Sequence, residues 1–253
     1  MNQHKWISLF IIFGIINGGS DDSILGYFTE SSSKILSNQS NQLILGSAAL
    51  AALAATKVDH QVKSYAQTKG LLSNDISHFG DMYGGRWGHW LLWSSILATS
   101  LDNGEKDKLS EKMEFSTLAM VTNGILTETM KRGFGRKRPN GSCCKSFPSG
   151  HTSHSFTIAT IVNELYGNQM GIAAYCLAVL VATSRINDNK HYLSDVLFGA
   201  GLGTAVGRGF ALEYQNQLND KGINPTLQLS FKISIPLNRS EERRVGKECR
   251  SRW

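Results

Sequence analysis

Apolar residues recur along the chain in six stretches, Leu43–Ala55, Trp87–Leu97, Phe115–Leu126, Phe156–Leu165, Met170–Ala182 and Val196–Leu212, with polar and glycine-bearing segments between them. Runs of this length, interrupted by polar residues, predict helices that bury one or more faces. Prolines stand only at 139, 148, 225 and 236, so 40–212 is free of helix breakers except around Arg138-Pro139 and Pro148. The expected fold is therefore all-α, an antiparallel helical bundle with about six core helices. Asn123, Asn163, Glu164, Arg208 and several glycines interrupt the stretches, and none reaches eighteen uninterrupted apolar residues. They read as core helices of a globular bundle, with partial membrane contact left open. Trp87, Trp90 and Trp93 repeat every three residues along one side of a helix, which suits either aromatic core packing or an interfacial belt.

The two ends of the chain break this pattern. Met1–Lys5 is polar and positive, Trp6–Ile16 is apolar, and Asn17-Gly18-Gly19-Ser20 supplies small residues, the layout of a signal peptide that is short for a membrane span. Gln215–Asn224 reads as a polar linker, and Leu227–Leu237 alternates as LQLSFKISIPL, a short β-like strand with Pro236 suited to an edge. The last segment, Arg239–Trp253, has no apolar period and resembles translated vector sequence. The expected organisation is a signal peptide or anchor over 1–20, a helical domain over 21–214, a linker and strand over 215–238, and a non-native tail over 239–253.

Composition narrows the function classes. A chain of 253 residues holds one sizeable core, and a mean hydropathy of −0.18 argues against a chain lying mostly in lipid. The net charge is +6, but the tail carries six Arg or Lys against three Glu, so +3 remains without it. With no Lys/Arg stripe interleaved with aromatics elsewhere, nucleic acid is not an expected partner. Cys143 and Cys144 are adjacent, Cys176 sits in an apolar run and Cys249 lies in the tail. Cys176 is read as either a disulfide partner of one of the pair or a buried free thiol.

Chemistry concentrates in three segments at the ends of predicted helices. Lys131-Arg132-Gly133-Phe134-Gly135-Arg136-Lys137-Arg138-Pro139 gathers cations around two glycines. Ser146-Phe147-Pro148-Ser149-Gly150-His151-Thr152-Ser153-His154 opens a helix, with Ser149 placed as an N-cap and Gly150 allowing a ligand close to the first-turn amides. Ser184-Arg185 is followed by His191 and Asp195, four apart, so that on a helix the carboxylate would accept from one imidazole nitrogen and aim the other outward. Alone, each segment suits a solvated charge run, a helix cap or a surface His/Asp pair. Together they supply an anion clamp, a helix N-terminus and two histidines, one with an orienting carboxylate.

In this arrangement the chain resembles the type 2 phosphatidic acid phosphatase (PAP2) superfamily, shared with bacterial class A acid phosphatases and vanadium haloperoxidases. The resemblance rests on Lys131 with Arg138-Pro139, on Pro148-Ser149-Gly150-His151, and on Ser184-Arg185 with His191 and Asp195, in order and at the family's internal spacing. It implies a metal-independent phosphatase with no cofactor, acting on phosphate monoesters through a phosphohistidine on His191. Asp195 would hold the His191 tautomer, and His151 would protonate the leaving oxygen and then activate water. Lys131, Arg138, Ser149, Gly150 and Arg185 would cradle the phosphoryl group. A zinc site using His154 beside His151 is disfavoured, since the cations would oppose the metal's charge.

The implied partner is a phosphorylated small molecule or a lipid phosphate or pyrophosphate. The interrupted helices lean toward a soluble exported enzyme of the cell envelope, and the tryptophan row and basic mouth lean toward membrane-surface contact. Vanadate-dependent halide oxidation and non-catalytic anion binding are the competing readings.

Overall fold

The computed structural model describes residues 21–104 and 106–222, and every regular element in them is helical. In chain order these are α1 (Asp21–Ser37), α2 (Gln39–Ala55), α3 (Asp59–Lys69), α4 (Asn74–Met82), a π-helical turn (Tyr83–Trp87), α5 (Gly88–Asp102), α6 (Lys106–Phe134), α7 (Gly150–Asn187) and α8 (Leu193–Asp220). The fold is all-α, as expected, and each of the six predicted stretches lies in this helical framework. The expected signal peptide, C-terminal strand and tail lie outside the described residues. The polar linker does not begin at Gln215. The α8 helix runs on to Asp220, because Leu218 is buried and Gln215 donates to Glu164 Oε1 at 2.7 Å.

Element α7 is long and apolar enough to be a candidate membrane span, yet its backbone turns back on itself. Gly167 has φ 82° and ψ 177°, outside the helical region and open to a residue without Cβ. Beyond it the two limbs, 150–166 and 168–187, lie side by side. Thr160 and Tyr175 hydroxyls meet at 2.8 Å, and a Cβ built on Gly171 would overlap the Asn163 side chain. The two stretches predicted on either side of this position are therefore an antiparallel hairpin, each limb roughly 25–30 Å long at 1.5 Å per residue.

The α8 helix packs against α1, α2, α3, α6 and α7. Gly199, Gly203 and Gly207 form a stripe at every fourth residue facing the first limb of α7, where added Cβ atoms would meet Ser149 O at 2.8 Å, Ser153 O at 2.1 Å and Thr160 Cβ at 2.7 Å. Small residues at this spacing let two helix backbones approach closely. The core continues through Ile96, Phe115, Ile158, Ile161, Val206 and Phe210, with Phe115 stacked on Tyr214 at a 5.0 Å centroid separation.

The outer surface is more apolar than a water-facing bundle requires. Leu43, Leu50 and Leu53 on α2 are 68%, 69% and 66% exposed. Leu97 and Leu101 on α5 and Ile172 and Val179 on the second limb of α7 are also exposed, each pair spaced along one helix face. The tryptophan row divides: Trp87 and Trp90 are exposed, whereas Trp93 packs against the core. Neither reading of Cys176 holds, for it is an exposed free thiol on the apolar face of the second limb, and Cys143 and Cys144 are free as well.

Candidate active site

Six helix ends meet at one end of the bundle, and the three motif segments lie there. Lys131 is near the C-terminus of α6, Gly150 and His151 begin α7, Arg185 nears its end, and Asp195 is in the first turn of α8. The N-terminus of α3 brings Asp59 and the C-terminus of α4 brings Asp81 into the same layer.

His191 lies in the turn before α8 and is buried. Its Nδ1 is 2.7 Å from the carbonyl oxygen of Ser146. A carbonyl only accepts, so Nδ1 carries the hydrogen and Nε2 of the neutral ring keeps its lone pair. Burial pushes the imidazole down to about 4; Asp195 opposes that, and Lys131 and Arg138 reinforce it. The ring is therefore neutral near pH 7.

Asp195 does not take the place expected from a helical i,i+4 pair. Its Oδ2 is 3.8 Å from His191 Nδ1, beyond hydrogen-bond range. The reason is local: α8 starts only at Leu193, and Asp195, three residues after the N-cap Tyr192, folds back to accept from the Tyr192 amide at 2.8 Å. The same oxygen accepts from Ser146 Oγ at 2.5 Å, and Oδ1 accepts from Arg136 Nη1 at 2.6 Å. Ser146 thus links the two residues, its carbonyl on His191 and its hydroxyl on Asp195. Burial alone would raise the Asp195 carboxyl; His191 and the donors around it hold the group below the ordinary carboxylate value.

Arg136 and Asp59 complete this support. Arg136 Nη2 donates to Asp59 Oδ2 at 2.8 Å, and its guanidinium lies 4.4 Å from the centroid of the Tyr192 ring. Asp59 also accepts from the Ser194 amide at 3.0 Å and from its hydroxyl at 2.6 Å. A buried carboxylate from α3 thereby pins the first turn of α8, which carries Asp195.

The cationic side of the site is only partly engaged by the protein. Lys131 Nζ donates to the carbonyl of Lys145 at 3.1 Å, and burial, with the nearby Arg138 adding to it, brings its ammonium down to about 8. Arg138 Nε is buried without a hydrogen-bond partner. Ser149 gives α7 no side-chain cap; its hydroxyl meets that of Thr152 at 2.9 Å, which leaves the first-turn amides available to an anion. Gly150 lies beside Lys131, where an added Cβ would make ordinary van der Waals contact with Cε at 3.5 Å.

His151 occupies the opposite side of the layer. Its Nε2 lies 3.2 Å from Asp81 Oδ1, and the same oxygen accepts from Arg185 Nη1. Arg185 is buried, and its Nη2 also donates to Asp188 Oδ2 at 2.9 Å. The bond from His151, with Arg185 beside it, holds the Asp81 carboxyl well below the carboxylate range, and burial lowers the His151 imidazole.

The fold thus brings together Lys131, Arg138, Ser149, Gly150, His151, Arg185, His191 and Asp195, all eight residues the motifs single out. It adds Asp59, Asp81, Arg136 and Ser146. Arg136 stood within the cationic run and Ser146 within the second segment, whereas Asp59 and Asp81 lie in short helices with no long apolar run or motif to draw attention to them.

This layer falls within a stretch that is similar to known proteins. The profile of the PAP2 superfamily matches residues 115–218. A lipid A 1-phosphatase of Porphyromonas gingivalis is 36% identical over 107 residues, covering 41% of this chain and 24% of that protein. Lipid phosphate phosphatase 1 of Arabidopsis thaliana is 29% identical over 150 residues, covering 42% of this chain and 46% of its own length. A lipid A 4'-phosphatase of Helicobacter pylori is 27% identical over 134 residues, covering 48% and 65%. The chain thus spans between 24% and 65% of the curated relatives it matches. Among solved structures, Aquifex aeolicus LpxE superposes with a TM-score of 0.51 at 24% identity, over 63% of this chain and 94% of that one, a likeness of fold. Residues 115–218, the stretch similar to the PAP2 superfamily, hold the whole of the motif-bearing layer apart from what α3 and α4 contribute.

Proposed function

We propose that this protein is a lipid phosphate phosphatase of a membrane face, hydrolysing phosphate esters through a phosphohistidine on His191 without a metal. The carrying observation is the His191 geometry: an imidazole held neutral by burial, its Nδ1–H committed to the Ser146 carbonyl, and Nε2 left as the only nucleophilic atom. Phosphate monoesters are among the slowest biological linkages to hydrolyse, so charge stabilisation must accompany the nucleophile. Lys131, Arg138 and Arg185 would supply it with the α7 first-turn amides, in fixed positions and partly out of water.

In this reading Nε2 of His191 attacks phosphorus as the bond to the leaving oxygen breaks, and His151 gives that oxygen its proton. Water then attacks the phosphohistidine, with His151 taking the water's proton, and phosphate departs as the N–P bond breaks. The Ser146 carbonyl and the Asp195 carboxylate stabilise the positive charge that grows on His191 during attack. The relatives' names, all lipid phosphatases, and the exposed leucine faces support a lipid substrate at a membrane over a soluble phosphomonoester.

Phosphate release from phosphatidate in mixed micelles and from an aryl phosphate tests this directly. Turnover of both should survive excess chelator and fall by about 10³-fold or more in His191→Ala. Turnover abolished by the chelator, or retained by the variant, would overturn the mechanism.

A further inference from the structure

Asp81 lies outside all three motif segments, yet its carboxylate is the partner of His151. It comes from α4, whose last residue, Met82, runs directly into the π-helical turn. Such turns insert an extra residue and re-aim the side chains beyond it, often at functional sites. Here the turn presses Gly85 against the His151 ring: a Cβ there would lie 2.4 Å from Nε2. Nε2 is thus walled by Gly85 on one side and held by Asp81 Oδ1 at 3.2 Å on the other. With Nε2 engaged by Asp81, Nδ1 is the ring atom left for proton transfer.

We infer that Asp81 is the positioning residue of the proton-transfer histidine, accepting from His151 Nε2 so that Nδ1 faces the leaving oxygen. The inference rests on the phosphatase reading above. In the first step the P–O bond to the leaving group breaks and the Nδ1 proton passes to that oxygen, giving a neutral ring whose Nε2–H remains donated to Asp81. In the second, Nδ1 takes a proton from the attacking water as its oxygen bonds to phosphorus and the His191 N–P bond breaks. Asp81 keeps its charge throughout and balances the imidazolium of the first step. Its contact with Arg185 sets it at a fixed point between the proton donor and the phosphate clamp, which resists its rotating away from His151.

Leaving-group dependence tests this. A nitrophenolate departs with little protonation, whereas the alkoxide of a lipid headgroup needs a proton. The reading is kcat/KM, which covers only the steps through departure of the first product and so excludes the water step. Asp81→Asn keeps the shape of the side chain and should lower kcat/KM for phosphatidate by about 10–100-fold while changing p-nitrophenyl phosphate by less than about 3-fold. In a His151→Ala background, Asp81→Asn should cause no further loss on either substrate. Equal losses on both substrates, or losses that multiply in the double variant, would overturn the inference and make Asp81 a support of Arg185 alone. Wild-type turnover and its loss in His191→Ala are read in the same assay, so a failure of the underlying phosphatase reading registers there and not in the substrate ratio.

Discussion

At the scale of single residues, the site divides its titrating groups by what each must do. His191 is held down to about 4 and is a free base at neutral pH; Lys131 is brought down to about 8 and is mostly charged there. For p-nitrophenyl phosphate, whose leaving group needs little protonation from His151, the two titrations should bound activity from opposite sides. As pH falls through about 4 the proposed nucleophile is protonated and lost, and as pH rises through about 8 the proposed phosphate clamp loses a cation. A bound phosphate dianion stabilises the ammonium and raises its pKa, so the alkaline limb should appear in kcat/KM, which reports the free enzyme, and be weaker in kcat. Lys131→Arg keeps its charge at every accessible pH, and the alkaline limb near 8 should vanish from its kcat/KM profile even if the rate falls. A limb that stays near 8 in that variant would assign the titration to another group.

These residues also mark how far the chain's patterning reaches. The motif spacing singled out all eight motif residues, because the anion clamp and the histidines come from short continuous segments. It did not foretell that Ser146 stands between His191 and Asp195, since the helical i,i+4 expectation fails when α8 starts at Leu193 and Asp195 turns to cap it. Asp59 and Asp81 were invisible for another reason: they enter through tertiary packing of α3 and α4, which carry neither a long apolar run nor a motif.

At the scale of elements, the site depends on how closely α8 packs against the first limb of α7. Ser149 and Asp195 sit at the top of that contact, where the Ser149 amide donates to the Asp195 carbonyl at 3.0 Å. Gly199, Gly203 and Gly207 continue it downward. The backbone oxygen of Ser153 would be 2.1 Å from a Cβ at position 203, and backbone cannot swing aside as a side chain can. Overpacking a close contact costs about 1–3 kcal/mol, occasionally more. Gly203→Ala should therefore lower the melting temperature in detergent and reduce kcat through a displaced site, whereas Gly46→Ala, with open space around it, should leave both unchanged. Unaltered stability in Gly203→Ala would show that the two helices are not held at this distance. The bundle itself was foreseen from the six apolar runs, and the separation of Phe156–Leu165 from Met170–Ala182 anticipated the hairpin at Gly167. Helices α1, α3 and α4 went unforeseen because none carries a long apolar run, although α1 and α4 are amphipathic, and they are helical largely through what they pack against.

At the scale of the whole molecule, the site layer and the exposed apolar faces determine one orientation. The motif residues lie at helix ends, while Leu43, Leu50 and Leu53 on α2, Leu97 and Leu101 on α5, and Ile172 and Val179 on α7 lie along helix sides. In water each such exposed apolar side chain forgoes part of the about 1.5–3 kcal/mol that full burial is worth, and several on one surface would drive association. Acyl chains remove that cost only if the sides are in lipid and the ends at the polar interface, where a lipid headgroup would meet Lys131, Arg138 and Arg185. The low mean hydropathy of −0.18 does not oppose this, because polar helices α3 and α4 and the site loops dilute the apolar sides. Membranes carrying the protein should therefore retain it through washing with concentrated salt and with alkaline carbonate, and release it into detergent. Replacing Leu43, Leu50 and Leu53 together with glutamate should lower the membrane-bound fraction without touching the site layer; release of the wild-type chain by salt alone would instead place it at the surface through its basic mouth.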